Sequence, residues 1–276
     1  MVREAAARAV GEDIGPADVT SRLIPQERQG HAVLLTREPC VLAGMDLAEA
    51  VFREVDGSLK WKSSAKDGDR LRAGQEVAEI AGPARSILSG ERCALNFLQR
   101  LSGIATRTAE FVQAVAGTKT KILDTRKTTP GLRALEKHAV RCGGGESHRM
   151  GLYDAVLIKE NHLALVPEKD LAGLVTRARQ ENPDLTVIVE ADSVSLAKQL
   201  LSLKPDRILL DNLSPAEVAE MVRERDRLGS GIPLEASGGV TRERAQELAK
   251  AGADYLSVGA LTHSARAIDF ALDWRT

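Results

Sequence analysis

The stretch Lys121-Ile-Leu-Asp-Thr-Arg-Lys-Thr-Thr-Pro130 decides the fold. It begins as a short apolar strand and then breaks into hydroxyls, one carboxylate and two adjacent cations. It closes on a proline suited to the first turn of a helix. This is a strand that carries a binding loop on its C-terminal tip. Arg126 offers a planar fork of donors that fits a carboxylate or a phosphate, and Lys127 offers a mobile point charge, so the pair can grip two different anionic groups.

Downstream the arrangement repeats. Apolar strands are predicted at Lys121 to Asp124, Ala155 to Lys159, Thr186 to Glu190, Arg207 to Asp211, Pro233 to Ala236 and Tyr255 to Val258. Between them lie helical patterns at Leu132 to Cys142, Glu168 to Glu181, Ser193 to Leu203, Pro215 to Arg227 and Arg242 to Ala251. Near-continuous apolar strands separated by helices indicate an α/β fold with a parallel sheet buried on both faces. So many units wound in one hand favour a closed or nearly closed barrel, with an open doubly wound sheet as the alternative.

The tip after each strand is polar or glycine-rich: Asp124-Thr125-Arg126-Lys127, Lys159-Glu160-Asn161-His162, Glu190-Ala191-Asp192, Asp211-Asn212, Ser237-Gly238-Gly239 and Gly259. In barrels the C-terminal strand ends carry the active site, so these tips are expected to converge on one mouth. Asp192 with Ser193, and Asn212 with Ser214, serve equally well as helix caps. The late tips, Ser237-Gly238-Gly239 and Ser257-Val258-Gly259, expose backbone N–H groups that suit a phosphate. Gly143-Gly144-Gly145 ends a helix and suggests close backbone approach or flexibility near a ligand, and it leads into Glu146-Ser147-His148-Arg149.

Upstream, Val2 to Val10 reads as a helix, and Glu12 to Ser21 as a turn-rich acidic loop in which Asp18 can cap the next element. From Gly30 to Ala81 short β-like runs alternate with Asp56-Gly57, Asp67-Gly68 and Ala73-Gly74 turns, a small antiparallel sheet domain. A long helix from about Gly90 to Val115 links the two parts and carries Arg92 in its first turn, an unfavourable place for a cation that marks it as a candidate anion binder. The domain expectation is 1–115, with a C-terminal helix near 264–276 packing back on it, and a catalytic domain over 116–263.

The 276 residues carry 38 basic and 39 acidic side chains, a net charge of -1. That leaves no electrostatic footprint for nucleic acid or a membrane surface, so a cluster of cations needs a local explanation. No apolar run approaches a membrane span and the N-terminal segment lacks a signal-peptide pattern. Cys40, Cys93 and Cys142 are isolated and odd in number, which implies reduced thiols in a cytoplasmic protein and no structural metal site.

One wall of the expected mouth is therefore basic: Arg126, Lys127, His148, Arg149 and Lys159, with Arg92 as a candidate. The other holds Glu190 and Asp211. Uncompensated cations out of water are costly, so the basic wall implies a multiply anionic ligand, and the carboxylates imply a hydroxylated sugar, a divalent metal or a cationic transition state. Residue chemistry alone reaches an enzyme acting on a phosphorylated, carboxylate-bearing small molecule.

The motifs go further. Glu91-Arg92-Cys93-Ala94-Leu95-Asn96, the Asp124 to Pro130 stretch, Gly143 through His148-Arg149, Lys159-Glu160-Asn161-His162, Glu190, Leu210-Asp211-Asn212 and Glu235-Ala236-Ser237-Gly238-Gly239, in that order, make the chain resemble the quinolinate phosphoribosyltransferase family over almost its whole length. Pro16-Ala17 before Asp18 departs from the glycine typical of that family, and affects only the local turn. The resemblance implies a small α/β sandwich domain followed by an incomplete TIM-like α/β barrel. It implies reaction of quinolinate with phosphoribosyl pyrophosphate and Mg2+ to give nicotinate mononucleotide, pyrophosphate and CO2, a step of de novo NAD biosynthesis. By the same resemblance, Arg92, Arg126, His148 and Arg149 hold quinolinate, with Lys159 near both ligands. Lys127, Glu190, Asp211, Ser237, Gly238, Gly239 and Gly259 surround the sugar phosphate and pyrophosphate. Lys159, Glu190 and Asp211 are the catalytic set, and Glu190 and Asp211 bind the metal directly or through water. It also implies a homodimer in which Arg92 is lent to the neighbouring site.

Three rival activities make different demands on these residues. A type II phosphoribosyltransferase for another pyridine or base, such as the molybdenum-operon relatives, would not need the Arg126, His148 and Arg149 set, which suits a dicarboxylate. A sugar-phosphate isomerase or aldolase barrel would use Lys159 as an imine, and a non-catalytic ligand-binding barrel would have no use for both carboxylates and all the cations.

Overall fold

The computed structural model describes residues 1–165 and 170–275, which form two compact units. One comprises Met1–Ala109, Leu135–Gly144 and Ala265–Thr276, the other Glu110–Ala134 and Gly145–Ser264. No helix of the described residues is long and apolar enough to cross a membrane.

The first unit contains α1 (Val2–Ile14), β1 (Gln29–Thr36), β2 (Cys40–Val41), α2 (Met45–Val55), β3 (Lys60–Ser63), β4 (Arg70–Leu71), β5 (Glu76–Pro83) and most of α3 (Ala84–Ala114). A four-stranded antiparallel sheet has the order β12-β1-β5-β3, where β12 is Phe270–Trp274, and β2 pairs with β4 in a two-stranded ribbon. The core is a helical stripe of α3 (Ile87, Ala94, Leu98, Leu101, Ile104 and Ala105) with Leu34, Ile80 and Phe52. Each large side chain among these contributes about 1.5–3 kcal/mol by leaving water. Asp18 caps the short turn Ser21–Leu23: its carboxylate accepts the backbone N–H groups of Thr20 and Ser21 and the hydroxyls of Ser21 and Ser89.

Two expectations give way to the structure. The C-terminal segment is the strand β12, not a helix: Phe270 and Leu272 are buried while Asp273 is exposed, a period-2 pattern, and Leu272 pairs with Leu34 of β1. The linking helix starts at Ala84, so Arg92 lies in its third turn, away from the positive end of the helix dipole. Gly90, the expected helix start, lies inside the helix, where a Cβ would sit 2.8 Å from the Phe52 ring. At Gly143 the close backbone approach expected of the glycine run is found, since a Cβ would lie 2.3 Å from the carbonyl oxygen of Ala105.

The second unit is a six-stranded, all-parallel sheet: β6 (Lys121–Leu123), β7 (Val156–Ile158), β8 (Val187–Ala191), β9 (Arg207–Asp211), β10 (Leu234–Ser237) and β11 (Tyr255–Ser257). Connecting helices are α4 (Arg133–Cys142), most of which belongs to the first unit, α5 (Glu160–Leu163), α6 (Leu171–Glu181), α7 (Val194–Leu203), α8 (Pro215–Arg227), α9 (Arg242–Lys250) and α10 (Ala260–His263). Residues 168–169, where the helix before β8 is expected to begin, lie outside the described residues. The spatial order β6-β11-β10-β9-β8-β7 is the cyclic order of a barrel broken at one place, between β6 and β7, and no described ladder closes it. The segment after Gly145 instead adds to the free edge of β6 through a parallel bridge, Leu123 to Glu146. β8 is buried along its whole length, as a strand covered on both faces must be. Ser193 caps α7; Ser214 with Glu217 forms a capping box at α8, with Pro215 in the first turn.

Candidate active site

Because the six strands run in parallel, their C-terminal tips share one edge. In spatial order it presents Asp124 to Lys127, Val258-Gly259, Gly238-Gly239, Asp211-Asn212, Glu190 to Asp192 and Lys159. Register levels them: Ser237 pairs with both Asp211 and Ser257, Ser257 with Leu123, and Ile158 with Val189, so that Lys159 comes level with Glu190. The Lys159 ammonium donates directly to the largely buried Glu190 carboxylate.

The basic side is fastened by its own backbone. Buried Asp124 accepts the N–H of His148 at 2.8 Å, its own N–H donates to the Glu146 carbonyl, and Glu146 N–H donates to Ile122. Arg133 joins the two cationic loops: Nε donates to Thr128 Oγ1 (3.0 Å), Nη1 to the Met150 carbonyl (3.1 Å) and Nη2 to the Arg126 carbonyl (3.4 Å). Sequence reading missed Arg133, whose only signal was its place three residues after Pro130.

Arg149 is half-buried, with Nη1 donating to the Ala155 carbonyl at 3.2 Å. Burial, and then the charge of Arg126, pull its pKa below the ordinary arginine value, with Asp154 opposing. Arg126, Lys127 and Arg149 make no ion pair among the described residues. At the opposite edge of the sheet a cavity of about 380 Å³ is lined by Lys121, Arg225 and Asp254 among others. There Arg225 pairs with Asp254 at 2.6 Å and Lys121 with Glu146 at 2.8 Å, while Lys119 is exposed to solvent. A half-buried guanidinium beside a second one, with no ion pair for either among the described residues, is found at the strand tips.

The glycine-rich corner has equally specific demands. Gly238 holds φ +92°, and a Cβ there would stand 2.1 Å from Asn212 Oδ1. Asn212 is itself left-handed, donates from Nδ2 to Asp211 Oδ2 (2.9 Å), and donates its N–H to the Ser237 carbonyl. The Lys127 stem lies over Gly259, where a Cβ would meet its Cδ at 3.0 Å and the His263 ring at 3.3 Å. Thr262 Oγ1 donates to the Lys127 carbonyl. His263, one turn after Gly259, thus belongs to this corner, although nothing in its spacing singled it out.

His148 is placed differently from the other cations. Its side chain is buried; the N–H of Arg149 donates to Nδ1 at 2.7 Å, and Nε2 lies 3.3 Å from Glu235 Oε1. Glu235, fully buried, also accepts from Arg207 Nη1 (2.9 Å) and from the Ser257 hydroxyl, and Arg207 stacks 4.1 Å from the Tyr255 ring centroid. Both imidazole nitrogens are therefore used within the protein. Glu235 and Arg207 could not be read as partners from positions 28 residues apart. Arg92 is exposed on α3 in the first unit.

The arrangement can hold a dianionic planar ring at Arg126 and Arg149, an anionic phosphate near Lys127 and the glycine tips, and an electron-poor sugar carbon near Glu190 and Asp211. Comparison with known proteins agrees with the order of these motifs. Residues 18–102 match the N-terminal domain of quinolinate phosphoribosyl transferase, and residues 104–273 its C-terminal domain. A nicotinate-nucleotide pyrophosphorylase [carboxylating] of Mycobacterium leprae is 42% identical over 98% of this chain and 96% of its own. A quinolinate phosphoribosyltransferase [decarboxylating] of Nicotiana tabacum is 39% identical over 96% of this chain and 79% of its own. The solved nicotinate-nucleotide pyrophosphorylase of Francisella tularensis superposes with a TM-score of 0.93 at 38% identity, covering 99% of this chain and 96% of that one. The chain belongs to the quinolinate phosphoribosyl transferase family.

Proposed function

We infer that the chain transfers the phosphoribosyl group of phosphoribosyl pyrophosphate to the ring nitrogen of quinolinate and releases CO2, giving nicotinate mononucleotide and pyrophosphate. The observation that carries this reading is a half-buried Arg149 beside Arg126, with no ion-pair partner for either among the described residues, on the edge that also holds Glu190 and Asp211. Two neighbouring guanidinium forks, that of Arg149 held by the Ala155 carbonyl, match two adjacent carboxylates on one ring.

In this reading Arg126 and Arg149 orient quinolinate so that its nitrogen faces the anomeric carbon. Lys127 and the backbone N–H groups around Gly238, Gly239 and Gly259 receive the phosphate groups, with Ser237 beside them. As pyrophosphate departs, the ribose gains oxocarbenium character. A carboxylate of Glu190 or Asp211 about 4 Å away then contributes on the order of 4 kcal/mol at an effective dielectric near 20. Lys159 stands between the two halves: paired with Glu190 now, its ammonium is placed to meet the incoming anions.

Magnesium is part of the proposal. Among the described residues Glu190 and Asp211 do not gather a third donor into a preformed cage. That fits Mg2+, which is held by one or two carboxylates together with substrate phosphates and keeps several waters. Asp211, half-buried and hydrogen-bonded by Asn212, has an oxygen to offer. The ion, when bound, neutralises the departing anion.

Ribosylation leaves the ring nitrogen cationic. The bond from the neighbouring ring carbon to its carboxylate then breaks, CO2 leaves, and the electron pair stays on that carbon beside the positive nitrogen until a proton fills it. No dedicated base is required. Incubation with quinolinate, phosphoribosyl pyrophosphate and Mg2+ tests the whole reading: CO2 and nicotinate mononucleotide are expected in equal amounts, and a nucleotide that keeps both carboxylates would overturn it.

The homodimer is proposed on the resemblance, with exposed Arg92 reaching the partner's site. Mixing Arg92→Ala with Lys159→Ala subunits is expected to restore part of the activity each lacks alone, and verified mixed dimers without recovery would exclude the exchange.

A further inference from the structure

In the first unit Asp67, on the turn between β3 and β4, meets His138 and Cys142, four residues apart on one face of α4. His138 Nε2 stands 2.8 Å from Asp67 Oδ2 and 3.4 Å from Cys142 Sγ, and the three donor atoms all lie within 4.8 Å of one another. A ring nitrogen carries at most one hydrogen, so Nε2 cannot bond fully to both partners. Asp67 is already supplied, because Oδ2 accepts the N–H of Gly44 at 3.1 Å and Oδ1 that of Met45 at 3.0 Å. Three different donors within 4.8 Å of one another, one of them held by two backbone amides, form a coordination set with its outer support in place.

We propose that Asp67, His138 and Cys142 bind one thiophilic divalent cation, zinc above all, with water as the fourth ligand. Zinc bond lengths near 2.0 Å to nitrogen or oxygen and 2.3 Å to sulfur put tetrahedral donor edges at about 3.3–3.6 Å. The His138 to Cys142 spacing already has that value, and the His138 to Asp67 spacing opens by about half an ångström. All three residues are partly accessible, which leaves a way in for the ion and a place for water. A sulfur, nitrogen and oxygen set selects zinc over magnesium, so this site is separate from the reaction's metal. The ion would clip the start of α2, through Asp67, to the last turn of α4. Neither Asp67, 71 residues before His138, nor a lone cysteine signals this in the sequence, which by itself implied no structural metal.

The test uses the full chain, stripped with a chelator and titrated with Co2+. One equivalent is expected to produce tetrahedral d–d bands and a thiolate-to-cobalt charge-transfer band, both abolished by Zn2+ and unaffected by Mg2+. Cys142→Ser is expected to lose the charge-transfer band, and His138→Gln to weaken binding at least tenfold. Zn2+ is expected to raise Tm more in the parent chain than in either variant. Circular dichroism confirms folding, and Asp67 is left intact because it holds α2. Absence of the charge-transfer band in the parent chain, or its survival in Cys142→Ser with loss in Cys40→Ser or Cys93→Ser, would overturn the assignment.

Discussion

The two edges of the six-stranded sheet handle positive charge in opposite ways. At the N-terminal edge Arg225 meets Asp254 and Asp226, Lys121 meets Glu146, and Arg179 meets Asp206. At the C-terminal edge Arg126, Lys127 and Arg149 make no ion pair among the described residues, and Arg149, with Asp154 in its field, is held half out of water beside Arg126. Folding alone gives no reason to hold one guanidinium half out of water with a second beside it. Paired cations of the first edge therefore serve the fold, and under the proposed function the cations of the second receive an anionic ligand.

The sharpest attempt to break that comparison removes one cation from each edge. Arg149→Met is expected to lower kcat/KM for quinolinate by about 30- to 5,000-fold, the loss of roughly 2–5 kcal/mol that comes from leaving a buried carboxylate without its partner. Arg225→Met is expected to lower Tm and leave kcat/KM within about twofold, since it touches only structural pairs. Equal catalytic losses at both edges, measured in steady-state kinetics, would erase the distinction.

The glycine corner comes next. Gly238→Ala combines a left-handed backbone with a Cβ at 2.1 Å from Asn212. Strain of about 1–3 kcal/mol predicts roughly a 10- to 100-fold loss, read mainly in KM for phosphoribosyl pyrophosphate. A normal KM would place the phosphate elsewhere.

Glu235→Gln probes the support under the basic side. It leaves Arg207 without its buried carboxylate and loosens His148, whose neighbour is Arg149. A Tm decrease together with about a tenfold rise in KM for quinolinate is expected. A decrease in Tm alone would make Glu235 purely structural.

The smallest effect is far from the chemistry. Hydrogen bonds from Ser21 hold the Asp18 carboxyl down to about 2, and Arg266 with the Asp269 N–H holds Glu38 to about 2. Both are carboxylates with depressed pKa values, so their contribution is complete above about pH 5 and is lost as pH falls through about 2. Asp18→Asn is expected to lower Tm by roughly 2 °C at neutral pH, since the group is close to solvent, and to converge with the parent chain near pH 2. Thermal melts across that range decide it.

Much of this was legible in the chain. Ile122, Val187 to Val189 and Ile208 to Leu210 belong to continuous apolar runs because the sheet is covered on both faces, and the polar tips after them result from parallel strand direction. The features that stayed hidden depend on distant partners. Phe270 to Trp274 is too short to separate helix from strand until β1 is beside it, and the demand on Gly143 is invisible until α3 is in place. The role of His148 waits on Glu235, far along the chain, and the Asp67, His138 and Cys142 group on a turn and a helix that sequence does not relate.

The claim that Arg126 and Arg149 together read two carboxylates is tested most directly by kcat/KM for quinolinate and for nicotinate, in the parent chain and in Arg149→Met. Because the parent site leaves guanidinium donors unpaired when one carboxylate is missing, it is predicted to prefer quinolinate by about 10⁴-fold, and Arg149→Met to lose most of that preference. Comparable values for the two acids in the parent chain, or an unchanged preference in Arg149→Met, would contradict the account.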